Sequence, residues 1–298
     1  MTSLIWTQWN DLELPKGVQH AATNGIEPNE GDLSRIEFFV PLYMGGASSL
    51  KVIQSMTSLK VIQSLNAGVD DLLPICPPEV QLCNAAGVHD DSTAELALGL
   101  AIAARRGFID FARNQFSQTW DHKRYLSLTD SKVAIVGYGN IGKRIASLLS
   151  VFNVEVTTFS RSGRDKSLKL VQLDFLLPTF DVVILILPLS EQTVHFMDAR
   201  RLGLLKDGAT LVNVARGAVI DTHALIEELK KGRISAALDV TDPEPLPPTH
   251  ELWGLENLII TPHVGGDSQA FLPRGRKLVQ DQVKRFANGE PLLNVVSG

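Results

Sequence analysis

An α/β fold with parallel, doubly wound sheets is predicted by three features of this 298-residue chain. Short apolar segments alternate with helical ones along most of its length. Those segments lack the every-second-residue polarity of half-exposed strands, as expected where a sheet is covered on both faces. A Gly-x-Gly-x-x-Gly motif, Gly137 to Gly142, follows one such segment and opens a helical pattern. At roughly 150 residues per domain, the length suggests two domains.

The first strand-like runs are Arg35-Ile36-Glu37-Phe38-Phe39-Val40-Pro41 and Leu59-Lys60-Val61-Ile62-Gln63-Ser64-Leu65. The heptad Ser49-Leu50-Lys51-Val52-Ile53-Gln54-Ser55 recurs unchanged at 58–64. Two copies are too few for a solenoid, and the first reads as the end of a helix, the second as a strand. Ser92-Thr93-Ala94-Glu95 has the form of a capping box, with Ser92 as N-cap and Glu95 at N3. The helix it opens is apolar nearly all round through Arg105, which suits a domain junction or subunit interface. Beyond the polar stretch Gln115 to Asp130, strands are expected at 132–136, 155–160, 181–187, 209–214, 236–240 and 258–261. Helices are expected at 140–151 and, last, at 268–288.

Composition excludes several classes. Apolar residues make up 44% of the chain and charged residues 20%, which rules out a disordered protein. A net charge of -5 with no basic stripe argues against nucleic-acid or anionic-membrane binding. The two cysteines, Cys76 and Cys83, make neither a disulfide framework nor a zinc knuckle, so reduced thiols and no metal are expected. No apolar run reaches the roughly 18 residues of a membrane span. The N-terminus, with Trp6, Trp9, Asp11 and Glu13, lacks a signal pattern, so a cytoplasmic protein is expected.

The glycine motif carries the first functional reading. Gly137 permits a tight turn, Gly139 lets a pyrophosphate approach the backbone, and Gly142 lets the helix pack on the strand. The N–H groups of Asn140 and Ile141 at the helix start would meet the phosphates. At the end of the next strand, where a carboxylate would accept the ribose hydroxyls of NAD, stands Ser160 in Phe159-Ser160-Arg161-Ser162-Gly163-Arg164. Arg161 and Arg164 suit a 2′-phosphate, so NADP(H) is the preferred cofactor, with NAD(H) as the alternative. Late in the chain, Arg216, Glu244 and His263 each lie just beyond an expected strand, where ligands bind in open α/β sheets.

These segments in order, namely the glycine motif, Asn213-Val214-Ala215-Arg216-Gly217, Asp239 to Pro245 and Pro262-His263, resemble the D-isomer-specific 2-hydroxyacid dehydrogenases. Asn66-Ala67-Gly68-Val69-Asp70 and Thr93-Ala94-Glu95 resemble that family's first-domain motifs. The resemblance implies two Rossmann-like domains, the cofactor domain (93–266) inserted into the substrate domain (1–92 and 267–298), and a homodimer. It also implies roles. Arg216 would bind the substrate carboxylate with bidentate geometry, and His263 would be acid in reduction and base in oxidation. Glu244 would hold the other ring nitrogen and favour the imidazolium. Backbone N–H groups of Ala67, Gly68 and Val69 would meet the carboxylate, Asp239 would orient the nicotinamide carboxamide, and Pro188 would line the cofactor site. Tyr43, Met44, Leu65, Asn66 and, more distantly, Trp253 are pocket candidates.

Several reactions share this constellation. Formate dehydrogenases of the superfamily carry Gln where Glu244 stands, whereas phosphite oxidation keeps a similar trio. Long phosphoglycerate dehydrogenases carry a regulatory domain after the last helix, and here only Gly289 to Gly298 follow it. A small unphosphorylated 2-oxoacid, glyoxylate or hydroxypyruvate, is the expected substrate. A dinucleotide-sensing corepressor-like module is the alternative from another class.

Overall fold

The structure, a computed structural model, describes residues 2–24 and 27–297. In chain order the strands are β1 Ser3–Trp6, β2 Val18–His20, β3 Thr23–Asn24, β4 Glu27–Pro28, β5 Ile36–Phe39, β6 Val61–Gln63, β7 Gln81–Cys83, β8 Lys132–Val136, β9 Glu155–Ser160, β10 Leu168–Lys169, β11 Val182–Leu185, β12 Thr210–Asn213, β13 Ser235–Leu238, β14 Leu258–Ile260 and β15 Val295–Ser297. The α-helices are α1 Asp90–Arg105, α2 Phe108–Phe116, α3 Asn140–Leu149, α4 Leu173–Leu176, α5 Ala199–Leu204, α6 Thr222–Lys230 and α7 Phe271–Asn288. The chain divides into unit 1, Met1–His89 with Gln269–Gly298, and unit 2, Asp90–Ser268.

Unit 2 is built on a seven-stranded parallel sheet in the order β10-β9-β8-β11-β12-β13-β14. Its central strands are largely apolar because they feed two cores. Val182 and Ile184 of β11 join α1 and α3 on one face. Val183 and Leu185 join the α5 and α6 side on the other. All four are fully buried, each contributing about 1.5–3 kcal/mol relative to an exposed side chain. Strand order reverses between β8 and β11, and such a switch point opens a crevice at the carboxyl ends of the strands.

Unit 1 has a six-stranded sheet in the order β15-β7-β6-β5-β1-β2. Its five N-terminal strands are mutually parallel, and β15 is antiparallel to β7. The added edge strand is held by a buried amide pair. Gln282 Nε2 on α7 donates to Gln63 Oε1 on β6 (2.6 Å) and to the Leu293 carbonyl (2.9 Å), while Gln282 Oε1 accepts the Leu293 N–H (2.8 Å). Both glutamines are fully buried, so satisfied hydrogen bonds are a condition of placing them there. Cys83, also buried, has its thiol pushed up to about 11 by burial, against a lowering contact from Gln282. Burial likewise raises the Cys76 thiol. Both cysteines are free.

Three local readings change. Ser92 is inside α1 and is not its N-cap, because the helix starts at Asp90, whose carboxylate and that of Asp91 suit a helix N-terminus. The Ser92 hydroxyl instead meets that of Ser268 at 2.7 Å. The polar stretch after α1 is entered by a further helix, α2. The heptad reading holds: the first copy ends a helix, the 3₁₀-helix Ala47–Ser55, and the second supplies β6. The last helix begins at Phe271, a turn later than expected.

Candidate active site

The glycine motif sits at the switch point of the unit 2 sheet. Gly137 follows β8 with φ +112°, a conformation that L side chains rarely adopt, and a Cβ there would meet the Ile186 carbonyl oxygen at 2.2 Å. A Cβ on Gly142 would meet the Gly137 oxygen at 2.1 Å, so α3 can press on the β8 turn only through glycine. Gly139 differs, since nothing lies within 4 Å of its Cβ position. It is the N-cap of α3, and no side chain caps that helix. Exposed backbone at a helix start, led by Asn140 and Ile141, fits the pyrophosphate of a dinucleotide.

Ser160, at the end of β9, accepts the Gly163 N–H (2.9 Å) and meets the Ser167 hydroxyl (2.6 Å), which also donates to the Arg164 carbonyl (2.6 Å). The serine therefore shapes the 160–167 turn and leaves Arg161 and Arg164 exposed on it. One carboxylate here escaped the sequence reading. Asp165 lies 2.5 Å from Lys143 on α3. The Lys143 hydrogen bond and charge, with a smaller contribution from Arg164, hold its carboxyl below the usual range. Spacing could not reveal a pair so far apart in the chain. Pro188, after β11, gives its carbonyl to the Thr193 hydroxyl (2.7 Å), and Ser190 begins the turn that Thr193 closes.

Arg216, Glu244 and His263 follow the adjacent strands β12, β13 and β14. Asn213 fixes the first loop, donating to the Arg216 carbonyl (2.9 Å) and accepting the Ala215 N–H (3.0 Å). Arg216 Nη1 donates to the Ala215 carbonyl at 2.9 Å. A Cβ on Gly217 would meet the Thr241 oxygen at 1.9 Å, so glycine lets this loop press against the one carrying Glu244. His263 Nδ1 lies 2.5 Å from Glu244 Oε1, and the two side chains are 31% and 38% exposed. Burial raises the Glu244 carboxyl, but the His263 hydrogen bond and charge, the Thr241 N–H and the Arg216 charge together bring it below the usual range. An ionised Glu244 only accepts, so Nδ1 carries the proton between them and Nε2 is left for proton exchange.

Asp239, one residue past β13, is 3% exposed. Its Oδ1 accepts the Thr261 hydroxyl (2.6 Å) and the Val264 N–H (2.9 Å), and its Oδ2 the Gly265 N–H (2.8 Å). Thr261 is a second residue that sequence reading passed over. In unit 1, the Ala67-Gly68-Val69 segment follows β6. Asn84 Nδ2 donates to the Ala67 carbonyl (2.9 Å), and the N–H groups of Leu72 and Leu73 reach the Val69 carbonyl. Two pocket candidates belong to the unit 1 core. Leu65 is buried, and Tyr43 stacks on Phe271 with ring centroids 3.8 Å apart. Met44 is about half exposed, as is Trp253, whose indole N–H donates to the Pro247 carbonyl.

Among the described residues no group of His, Cys, Asp and Glu is placed to hold a metal ion, and no helix is long and apolar enough to cross a membrane. Comparison with known proteins matches this architecture. The chain is 33% identical to the glyoxylate reductase of Thermofilum pendens, over 80% of this chain and 75% of that one. It superimposes with a TM-score of 0.86 on a D-isomer specific 2-hydroxyacid dehydrogenase family protein from Aeromonas salmonicida, at 28% identity and 99% coverage of both chains. A D-isomer specific 2-hydroxyacid dehydrogenase from Xanthobacter autotrophicus, solved with NADPH and MES, gives a TM-score of 0.80 at 26% identity, covering 99% of this chain and 98% of that one. Residues 98–265, the body of the parallel sheet and its switch point, match the family description "D-isomer specific 2-hydroxyacid dehydrogenase, NAD binding domain". The chain is thus an NAD(P)-dependent oxidoreductase belonging to the D-isomer specific 2-hydroxyacid dehydrogenase family.

Proposed function

We propose that this protein reduces a small unphosphorylated 2-oxoacid of the glyoxylate or hydroxypyruvate type to the D-2-hydroxyacid, with NADPH as the preferred reductant. The observation that carries the reading is the His263–Glu244 contact beside Arg216, on consecutive strand ends of the dinucleotide-binding sheet. Bound NADPH supplies the hydride. Arg216 binds the substrate carboxylate, with the backbone N–H groups of Ala67, Gly68 and Val69 as further donors. His263 Nε2 gives its proton to the carbonyl oxygen as that oxygen gains charge, and Glu244 stabilises the cationic ring beforehand. Unit 2 binds the cofactor, through Gly137 to Gly142, Pro188 and the 160–167 turn, and unit 1 the substrate. Consumption of NADPH with glyoxylate, hydroxypyruvate, pyruvate and phenylpyruvate tests this. Turnover of the two smallest supports it. Tight NADPH binding with no turnover of any of them selects a dinucleotide-sensing role.

Two expected results arise here. Glu244→Gln exchanges the charged acceptor at His263 Nδ1 for a neutral one and lowers kcat for reduction about tenfold, the difference between a charge-assisted and a neutral hydrogen bond. Turnover within about twofold of wild type rejects the role. Arg161→Ala lowers kcat/KM for NADPH about tenfold while sparing NADH. A charge-assisted bond is worth more than this, but exposure screens it. A wild-type preference for NADH overturns the cofactor assignment.

Homodimerisation through α1 belongs to the same proposal. That helix packs Ala94, Ala97, Leu100 and Ala101 into the core of unit 2 and keeps Leu96, Leu98 and Ile102 only partly buried. Phe116 and Trp120, at the end of α2 and just beyond it, are 92% and 96% exposed and are further apolar surface for a second copy.

A further inference from the structure

The turn after β9 carries Arg161, Arg164 and Lys166 with a single acid, Asp165, and all four are exposed. Its shape does not depend on their charges. Ser160 accepts the Gly163 N–H, the hydroxyls of Ser160 and Ser167 meet, and the Arg164 carbonyl accepts both the hydroxyl and the N–H of Ser167. Held in this way, Asp165 takes φ +55°, a region that aspartate and asparagine enter more readily than most residues. Cations of its own turn stand near Asp165, yet the acid is met from outside. Lys143, whose N–H donates to the Gly139 carbonyl at the start of α3, reaches it at 2.5 Å. The contact lowers the Asp165 carboxyl and raises the Lys143 ammonium from their usual ranges, so both are charged at neutral pH. Among the described residues, neither Arg161 nor Arg164 has a carboxylate within ion-pair distance. An exposed ion pair adds little stability. What this one decides is which charges remain. A bare carboxylate on the turn would repel a 2′-phosphate and compete for the two guanidinium groups, and paired with Lys143 it does neither.

We propose that Lys143 is a specificity-determining residue for the cofactor: by holding Asp165 it neutralises the one acid of the 160–167 turn and leaves Arg161 and Arg164 to a 2′-phosphate. The inference rests on NADPH as the preferred reductant. The lysine acts through Asp165, so removing the acid undoes the loss of the lysine.

Calorimetric binding of adenosine 2′,5′-bisphosphate and of 5′-AMP to the full-length protein isolates the 2′-phosphate, and the ratio of the two affinities is the quantity read. The variants are Lys143→Met, which keeps the stem and removes the charge, Lys143→Arg, Asp165→Asn and the double variant Lys143→Met/Asp165→Asn. The two side chains are 49% and 57% exposed, so these substitutions change charge with little effect on packing. Lys143→Met lowers the ratio about fivefold, the scale of one exposed charge acting over a few ångströms through water. Asp165→Asn raises it by a similar factor, and Lys143→Arg stays within about twofold of wild type. The double variant also returns to within about twofold of wild type, because it restores the net charge of the pair. At about 1 M salt the variants converge, as interactions between exposed charges are screened. The preference in kcat/KM for NADPH over NADH follows the same order.

An unchanged ratio in Lys143→Met overturns the proposal. A double variant as poor as Lys143→Met overturns it as well, because the lysine then acts on the phosphate itself and not through Asp165. Wild-type protein that binds the bisphosphate no more tightly than 5′-AMP removes the NADPH reading and this inference with it, and is distinguishable because it needs no substitution.

Discussion

Replacing His263 with alanine is expected to lower kcat for 2-oxoacid reduction by about 10²–10⁴, the range of a positioned general acid. The expectation follows from the direction of the ring. Glu244 occupies Nδ1 at 2.5 Å, so the ring has one nitrogen for chemistry and a carboxylate fixing which one. With the ring removed, the carbonyl oxygen must take its proton from water while the hydride arrives. NADPH affinity should be little changed, because the proposed pyrophosphate site at Gly139 and the 160–167 turn are built independently of the β14 loop. The loss therefore falls on kcat rather than on the cofactor dissociation constant. His263→Gln, which restores a hydrogen-bond donor without a titratable proton, should recover little. Turnover within about threefold of wild type in either variant is too small a loss for a general acid and removes His263 from the reaction.

Much of the scaffold was legible because burial on both faces writes itself into composition. Lys132 to Val136 reads as a strand at its observed bounds because its apolar run is stopped by Gly137, and Glu155 to Ser160 because its β-branched and aromatic residues are stopped by Arg161. The repeated heptad shows where such legibility ends. The same seven residues form a 3₁₀-helix at 49–55 and lead into a strand at 61–63, so neighbours and not the heptad decide. Helix α2 was missed because Phe108, Phe111 and Phe116 are wholly or half exposed and give no core-facing stripe. Ser92 was misplaced because a capping box also fits two residues inside a helix whose real start is acidic.

At the site, the residues that carry charge were readable and the residues that aim them were not. Arg216, Glu244 and His263 follow strand ends, which is a property of sequence order. That Asp239 turns toward residues 261–265, or that Lys143 meets Asp165, is a property of the folded loops. The Lys143 contact also changes the cofactor argument. The 160–167 turn contains a carboxylate after all, and its charge is compensated by a lysine from α3.

Arg216→Ala is expected to lower kcat/KM for the oxoacid by about 10²–10³, the scale of removing one partner from a desolvated, hydrogen-bonded charge pair. Arg216→Lys should recover only part of this, because an ammonium is a point charge and cannot grip a carboxylate with two parallel bonds. The two variants separate two functions of the guanidinium. Its charge is one of the influences that hold the Glu244 carboxyl below the usual range. In Arg216→Ala that influence is lost, the carboxyl rises, and activity on acidification should fail at higher pH than in wild type. Arg216→Lys retains the positive charge and should keep the wild-type acid limb while still showing a raised KM. Geometry supports such a split, because Asn213 holds the Arg216 backbone carbonyl whatever the head group, whereas the bond to the Ala215 carbonyl is made by guanidinium Nη1 itself. If lysine restores kcat/KM fully, bidentate recognition is excluded and Arg216 acts on Glu244 and substrate by charge alone. If alanine leaves the acid limb unmoved, the coupling to Glu244 is excluded and the arginine acts on the substrate only.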